Sequence, residues 1–165
     1  MELAFAEYLR LTREMTRTVT AEWERPIKQN DLLLNDYLNL QTTLAQLLVA
    51  TAAVNANVPT STNVTTNALQ LYAQGLVQFL AISLRQQWTH LMVMEETDLK
   101  QFSKFPQQQL AHQFMGIQTM LLNSYHQKVQ RDFAHAWRSY LKLGLVELKF
   151  SATDLDLAIR ELLNA

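Results

Sequence analysis

Gln70, Gln74 and Gln78 fall four residues apart, so on a helix they stand one above another along a single face. Amides in such a line can hydrogen-bond a neutral base or a partner helix. Their oxygens can also ligate a cation, but they bring no charge to hold it. Charge is what this part of the chain lacks: the 58 residues between Asp36 and Glu95 contain no Asp or Glu. Mg²⁺ takes its octahedral shell from carboxylates, phosphates and water. A helix-borne Mg²⁺ site therefore needs several carboxylates at i, i+3 or i+4 spacing, as in carboxylate bundles. The glutamine line reads as a solvent-facing stripe or as a cleft wall that binds without a metal.

The remaining reactive side chains form no recognisable constellation. Glu95, Glu96 and Asp98 cluster near a loop and read as a solvated turn; together with Glu24 they are the alternative source of metal ligands. His90, His112, His126 and His135 make no HExxH and no close pair, and no Gly-rich phosphate loop or GxSxG elbow occurs. The chain has no Cys, which removes thiol chemistry and thiolate metal sites. That absence also fits a reducing compartment, so a cytoplasmic location is expected. The net charge is -1, and Arg10, Arg13 and Arg17 alternate with Glu7 and Glu14 as on a solvated helix face. Nucleic acid is not an expected partner, because the basic stripe that neutralises phosphates is missing. Nor is a membrane: the most apolar run, Ala68 to Leu84, carries all three glutamines and is shorter than the ~20 residues of a span. Glu2 and Glu7 occupy the place of a signal peptide's basic region.

Only three Gly and three Pro interrupt the 165 residues, so an all-α fold in one domain, residues 1–165, is expected. Leu3, Phe5, Leu9, Met15, Val19 and Trp23 mark a first helix ended by Pro26. Leu33, Tyr37, Leu40, Leu44, Leu47, Thr51 and Val54 mark a second, with Asn30 or Asp31 as its N-cap. A loop is expected over residues 57–66. A third helix then starts near Thr66 or Asn67 and runs to about Met92, burying Leu69, Tyr72, Leu76, Phe79, Leu80 and Leu84. Gly75 within it suggests close packing. Met94 to Pro106 reads as a partly irregular connection. Two helical segments follow, Gln107 to Asn123 and Tyr125 to Leu148, the latter with Phe133, Trp137, Leu141 and Leu145 as its stripe. Ser151 caps a final helix, with Asp154 at capping-box spacing.

The order of these segments, from Leu32 onward, resembles the dimeric all-α dUTPases, relatives of the all-α nucleoside triphosphate pyrophosphohydrolases. Three stretches carry the likeness: LAQLLVATAAVNANV (Leu44–Val58), LQLYAQGLVQFLAISL (Leu69–Leu84) and YLKLGLVELKFSATDLDLAI (Tyr140–Ile159). In that family, carboxylates of the first two stretches hold Mg²⁺ around the nucleotide triphosphate. The resemblance puts those carboxylates at Ala50 and Ala53 on one helix and at Gln70, Leu71 and Gln74 on the other. Gln46, Asn57 and Gln78 would line the same cleft. The family's later Lys-Asn pair falls on Leu162 and Leu163, and Ala165 precedes any basic tail motif. Tyr72, Gly75, Leu76, Leu143, Gly144 and Phe150 match the family's structural positions.

The resemblance thus implies a bundle of long helices, a homodimer, and a site without catalytic or metal-binding residues. The leading expectation is a non-catalytic dUTPase-like protein with a binding or regulatory role, no cofactor, and a nucleotide or protein partner. One alternative is a dUTP or NTP pyrophosphohydrolase whose Mg²⁺ is held elsewhere, by Glu24, Glu95, Glu96 or Asp98. The other is a purely structural helical interaction module.

Overall fold

A computed structural model describes residues 2–51 and 68–164 of the chain. The described residues form an all-α bundle of seven α-helices: α1 Phe5–Ala21, α2 Gln29–Ala50, α3 Ala68–Gln86, α4 Glu96–Gln101, α5 Leu110–Gln127, α6 Gln130–Lys142 and α7 Ala152–Asn164. The expected loop over residues 57–66 and the Thr66 or Asn67 cap lie outside the described residues, as does Val54. α3 is the central helix, packed against α1, α2 and α7; α5 joins α2 to α6. No described helix is long and apolar enough to cross a membrane.

The apolar stripes select the buried faces. Leu33, Tyr37, Leu40, Leu44 and Leu47 of α2 are buried, and Tyr72, Leu76, Phe79 and Leu80 of α3 meet them in the core. The first stripe is only partly used: Phe5 and Leu9 are buried together with Tyr8, whereas Val19 is exposed. Tyr8 stays inside because its hydroxyl donates to Asp156 of α7, whose two oxygens also accept from Arg160 Nε at 3.1 Å each. A buried carboxylate needs such partners, and this cluster pins α1 to α7.

The helix ends depart from expectation in an instructive way. α2 begins at Gln29 behind Lys28, with no side-chain cap from Asn30 or Asp31. α3 stops at Gln86 rather than near Met92. Gln87 turns left-handed (φ 60°) and the Trp88 N–H returns to Ser83 O at 2.8 Å. Lys128 (φ 54°) separates α5 from α6, and Lys149 (φ 58°) ends the turn that follows α6. Left-handed residues at helix ends are usually glycine; here a Gln and two Lys take that role. The Met94–Pro106 connection contains the short α4 and a single tight turn at Phe102–Lys104. Ser151 caps α7 as expected, its hydroxyl accepting the Asp154 N–H at 3.1 Å.

Two of the three glycines are spent on helix contact instead. Tyr72 of α3 and Tyr140 of α6 stack with centroids 4.4 Å apart and planes 6° from parallel. Each hydroxyl donates to the other residue's backbone carbonyl, at 2.7 and 2.5 Å. A Cβ on Gly75 would lie 2.3 Å from the Tyr140 oxygen, and one on Gly144 would lie 2.0 Å from the Tyr72 ring. Gly144 sits in a π-helical turn, Leu143–Glu147, that widens the chain after α6. Burial pushes both phenols well above the ordinary tyrosine value, so they remain protonated donors.

The three glycines therefore differ in what they tolerate. Gly75→Ala and Gly144→Ala should each destabilise by at least about 1–3 kcal/mol, the cost of overpacking a closed core. Gly116, in α5, has nothing within 4 Å of an added Cβ. Gly116→Ala should stabilise by about 0.5–1 kcal/mol through helix propensity. Urea unfolding of the three variants checks the order; equal losses at all three positions would contradict it.

Candidate functional site

The α2–α3 pair is antiparallel, and two contacts set its register. Arg85 meets Asp36, and a Cβ on Gly75 would come 3.5 Å from Thr43 Cγ2. Carried along both helices, this register brings Ala50 beside the first turn of α3 and Gln46 level with Gln74. The sequence-expected positions are thus collected at one end of the hairpin. Gln46, Gln70 and Gln74 are exposed there, while Ala50 and Leu71 are half-buried. Ala53 and Asn57 lie outside the described residues.

These five side chains offer three neutral amides and two hydrocarbons. That donor set does not fit Mg²⁺, whose dehydration needs anionic oxygen in return. The alternative acids are engaged otherwise. Glu95 is the N-cap of α4, and the Asp98 carboxylate accepts the Glu95 N–H at 3.0 Å in a reciprocal capping box. Glu96 pairs with Lys100 in solvent at 3.3 Å, and Glu24 is exposed after α1. Among the described residues no three acidic or histidine side chains gather as a metal-binding group. His90, His112, His126 and His135 are all exposed.

Gln78 departs from the other two glutamines. Gln70 and Gln74 line none of five cavities among the described residues. Gln78 lines a hollow of about 260 Å³ whose walls are Met15, Val19 and Trp23 on one side and Asp36 and Asn39 of α2 on the other. A neighbouring hollow of about 480 Å³ shares Thr16, Ala81 and Arg85 with it and extends to Arg13 and Gln29. The two make one groove, floored by α3 where α1 and α2 diverge. Ala81 is the small residue that keeps the floor low.

The groove's central feature is the Arg85–Asp36 pair, Nε to Oδ2 at 2.5 Å, with both side chains about five-sixths covered: they are 15% and 16% exposed. Burial holds the Asp36 carboxyl above its usual value, against the lowering exerted by the Arg85 hydrogen bond and charge. Within the groove, the Gln78 Oε1 atom is buried without a protein partner. The groove thus holds a neutralised ion pair, one unsatisfied amide oxygen and, at its far end, the exposed Arg13, but no nucleophile with an adjacent base. Such a lining can bind polar groups; it has no evident means of activating water. Asp36 and Arg85 were not singled out from the sequence, because 49 positions separate them and only the hairpin register unites them.

Comparison of the chain with protein-family models, with curated proteins and with solved structures finds no match to any of them.

Removing Arg85 tests the groove's electrostatics. Arg85→Met should cost about 3 kcal/mol at neutral pH, because it leaves a largely buried carboxylate unpaired. In that variant the folded-state pKa of Asp36 rises further above its unfolded value. Its carboxyl is then neutral in mild acid, so the cost should shrink as pH falls from 7 toward the ordinary Asp range. Urea melts of both proteins across that interval measure the difference; a cost that stays constant would contradict the assigned pairing.

Proposed function

We propose that this chain is a non-catalytic binding protein on a dUTPase-like helical scaffold, and that it acts as a homodimer joined through the α2–α3 hairpin. The observation that carries the reading is chemical. Where the resembled family has Mg²⁺-binding carboxylates, this chain has Ala50, Ala53, Gln70, Leu71 and Gln74. The deficit extends to every charge: no Asp, Glu, Lys, Arg or His occurs between Asp36 and Arg85.

A surface helix that faces only water normally carries charges on its outer side. α2 instead carries a second apolar line opposite its core stripe. Leu34, Leu38, Ala45 and Val49 follow one another at spacings of four, seven and four residues. All four are exposed, Leu38 by 57% and Val49 by 56%. In a two-fold contact each surface meets a copy of itself, so any charge near the axis would face its like. A face cleared of charge meets that condition. The family resemblance supports the same reading, since it implies paired long helices. The groove over Arg85 and Gln78 is the ligand-facing part of this proposal, suited to a polar group and needing no cofactor.

Two measurements test it. Pure protein incubated with dUTP and other nucleoside triphosphates, plus Mg²⁺ or Mn²⁺, should release no pyrophosphate above the protein-free rate. Release that scales with protein concentration would overturn the non-catalytic reading. Light scattering should give twice the chain mass for the natural sequence and the chain mass for Leu38→Glu/Val49→Glu, with helical circular dichroism unchanged. A monomeric natural protein, or a dimer that survives both glutamates, would overturn the pairing surface.

A further inference from the structure

A separate cavity lies away from the hairpin, between the Phe102–Pro106 segment, α5 and α6. It encloses about 540 Å³, the largest volume among the five cavities and within the range of small-molecule sites. His135, Arg138, Ser139 and Lys142 reach it from one face of α6, at i, i+3, i+4 and i+7 spacing. Phe102 and Phe105 supply aromatic surface from the opposite side. Phe105 is 58% exposed, an unusual position for a phenylalanine set between a tight turn and Pro106.

The polar groups are incompletely used. Arg138 is exposed and makes no ion pair or hydrogen bond among the described residues. Lys142 donates to Glu147 Oε1 at 2.6 Å and to the Pro106 carbonyl at 3.2 Å, which leaves its third N–H without a protein acceptor. Gln113 is 4% exposed; its Nε2 donates to the Ser139 carbonyl at 3.1 Å, and its Oε1 is buried with no donor. The Ser139 carbonyl fixes that amide, since flipping it would set oxygen against oxygen. No acidic residue lines this cavity, while Asp98 borders the smaller hollow that shares Phe102, Phe105 and Arg138 with it. Its lining is therefore aromatic, with Arg138 as its unpaired cation and Lys142 already balanced by Glu147.

We propose that this cavity binds a small organic anion that carries an aromatic ring. Arg138 and the remaining N–H of Lys142 take the anionic end, and Phe102 and Phe105 take the ring. A carboxylate and a phosphate would both satisfy the two cations, because a guanidinium fork and an ammonium receive either.

Calorimetric titration of the full chain with indole-3-acetate, phenyl phosphate and inorganic phosphate tests the site and tells the two head groups apart. At least one ring-bearing probe should bind saturably and more tightly than inorganic phosphate. Arg138→Gln should weaken it about tenfold or more, the effect of losing a hydrogen bond to a charged group. Phe105→Ala should weaken it as well. Both positions are exposed, so neither change threatens the fold. Arg131→Gln, on the same helix but outside the cavity, should leave binding unchanged. Absence of saturable binding by both ring-bearing probes, equal affinity for inorganic phosphate, or binding indifferent to Arg138→Gln and Phe105→Ala would overturn the proposal.

Discussion

The bundle depends on the reciprocal contact of Tyr72 with Tyr140, which ties α6 through side chains to a helix, α3, that packs its length against α1, α2 and α7. Each phenol lies where the other helix has no side chain, over Gly144 and Gly75, and each hydroxyl ends on the opposite backbone. A buried phenol must have a partner, so neither ring can rotate away without stranding its hydroxyl. The contact therefore fixes the rotation of α3. With Tyr72 and Gly75 turned inward, Gln70 and Gln74 turn outward, and Arg85 comes level with Asp36 on α2. On the other side, Gly144 falls within the π-helical turn that follows α6. That turn brings Glu147 to Lys142, which in turn holds the Pro106 carbonyl beside the α5–α6 cavity.

Much of this was legible in the chain because apolar spacing records burial directly. The α2 and α3 stripes, the close-packing role of Gly75 and the Ser151 cap all follow from local chemistry. The ends of α3 and α5 were harder to read, since the residues that turn left-handed there, Gln87 and Lys128, are not the glycines that ordinarily announce such turns. Val19 misled because periodicity cannot tell a helix's buried turns from those that run past the core. Tyr8 was overlooked because its burial depends on Asp156, 148 positions away. The Asp36–Arg85 pair and the α5–α6 cavity were hidden for the same reason. Their members are ordinary surface residue types until tertiary packing covers them.

The functional reading rests on a division between what the scaffold keeps and what it lacks. Tyr72, Gly75 and Gly144, which carry the contact with Tyr140, are among the positions on which the proposed dUTPase-like reading rests. The positions that would ligate a metal are amides and hydrocarbons, and the chain between Asp36 and Arg85 is free of every charge. Such a surface is poorly suited to gathering phosphates and cations, which need opposite charge to offset their dehydration. It is well suited to contact with another uncharged surface. The cationic groups that could meet an anion are instead on α6, separated from the hairpin positions in both sequence and chemistry.

The central claim is that the end of the α2–α3 hairpin holds no divalent cation. Paramagnetic Mn²⁺, added in the presence of a nucleoside triphosphate, reports this position by position through broadening of side-chain amide signals. The account predicts that the Gln46, Gln70 and Gln74 amides broaden no more than exposed glutamines elsewhere, such as Gln107 and Gln130. Selective and saturable broadening of the three hairpin amides would contradict it.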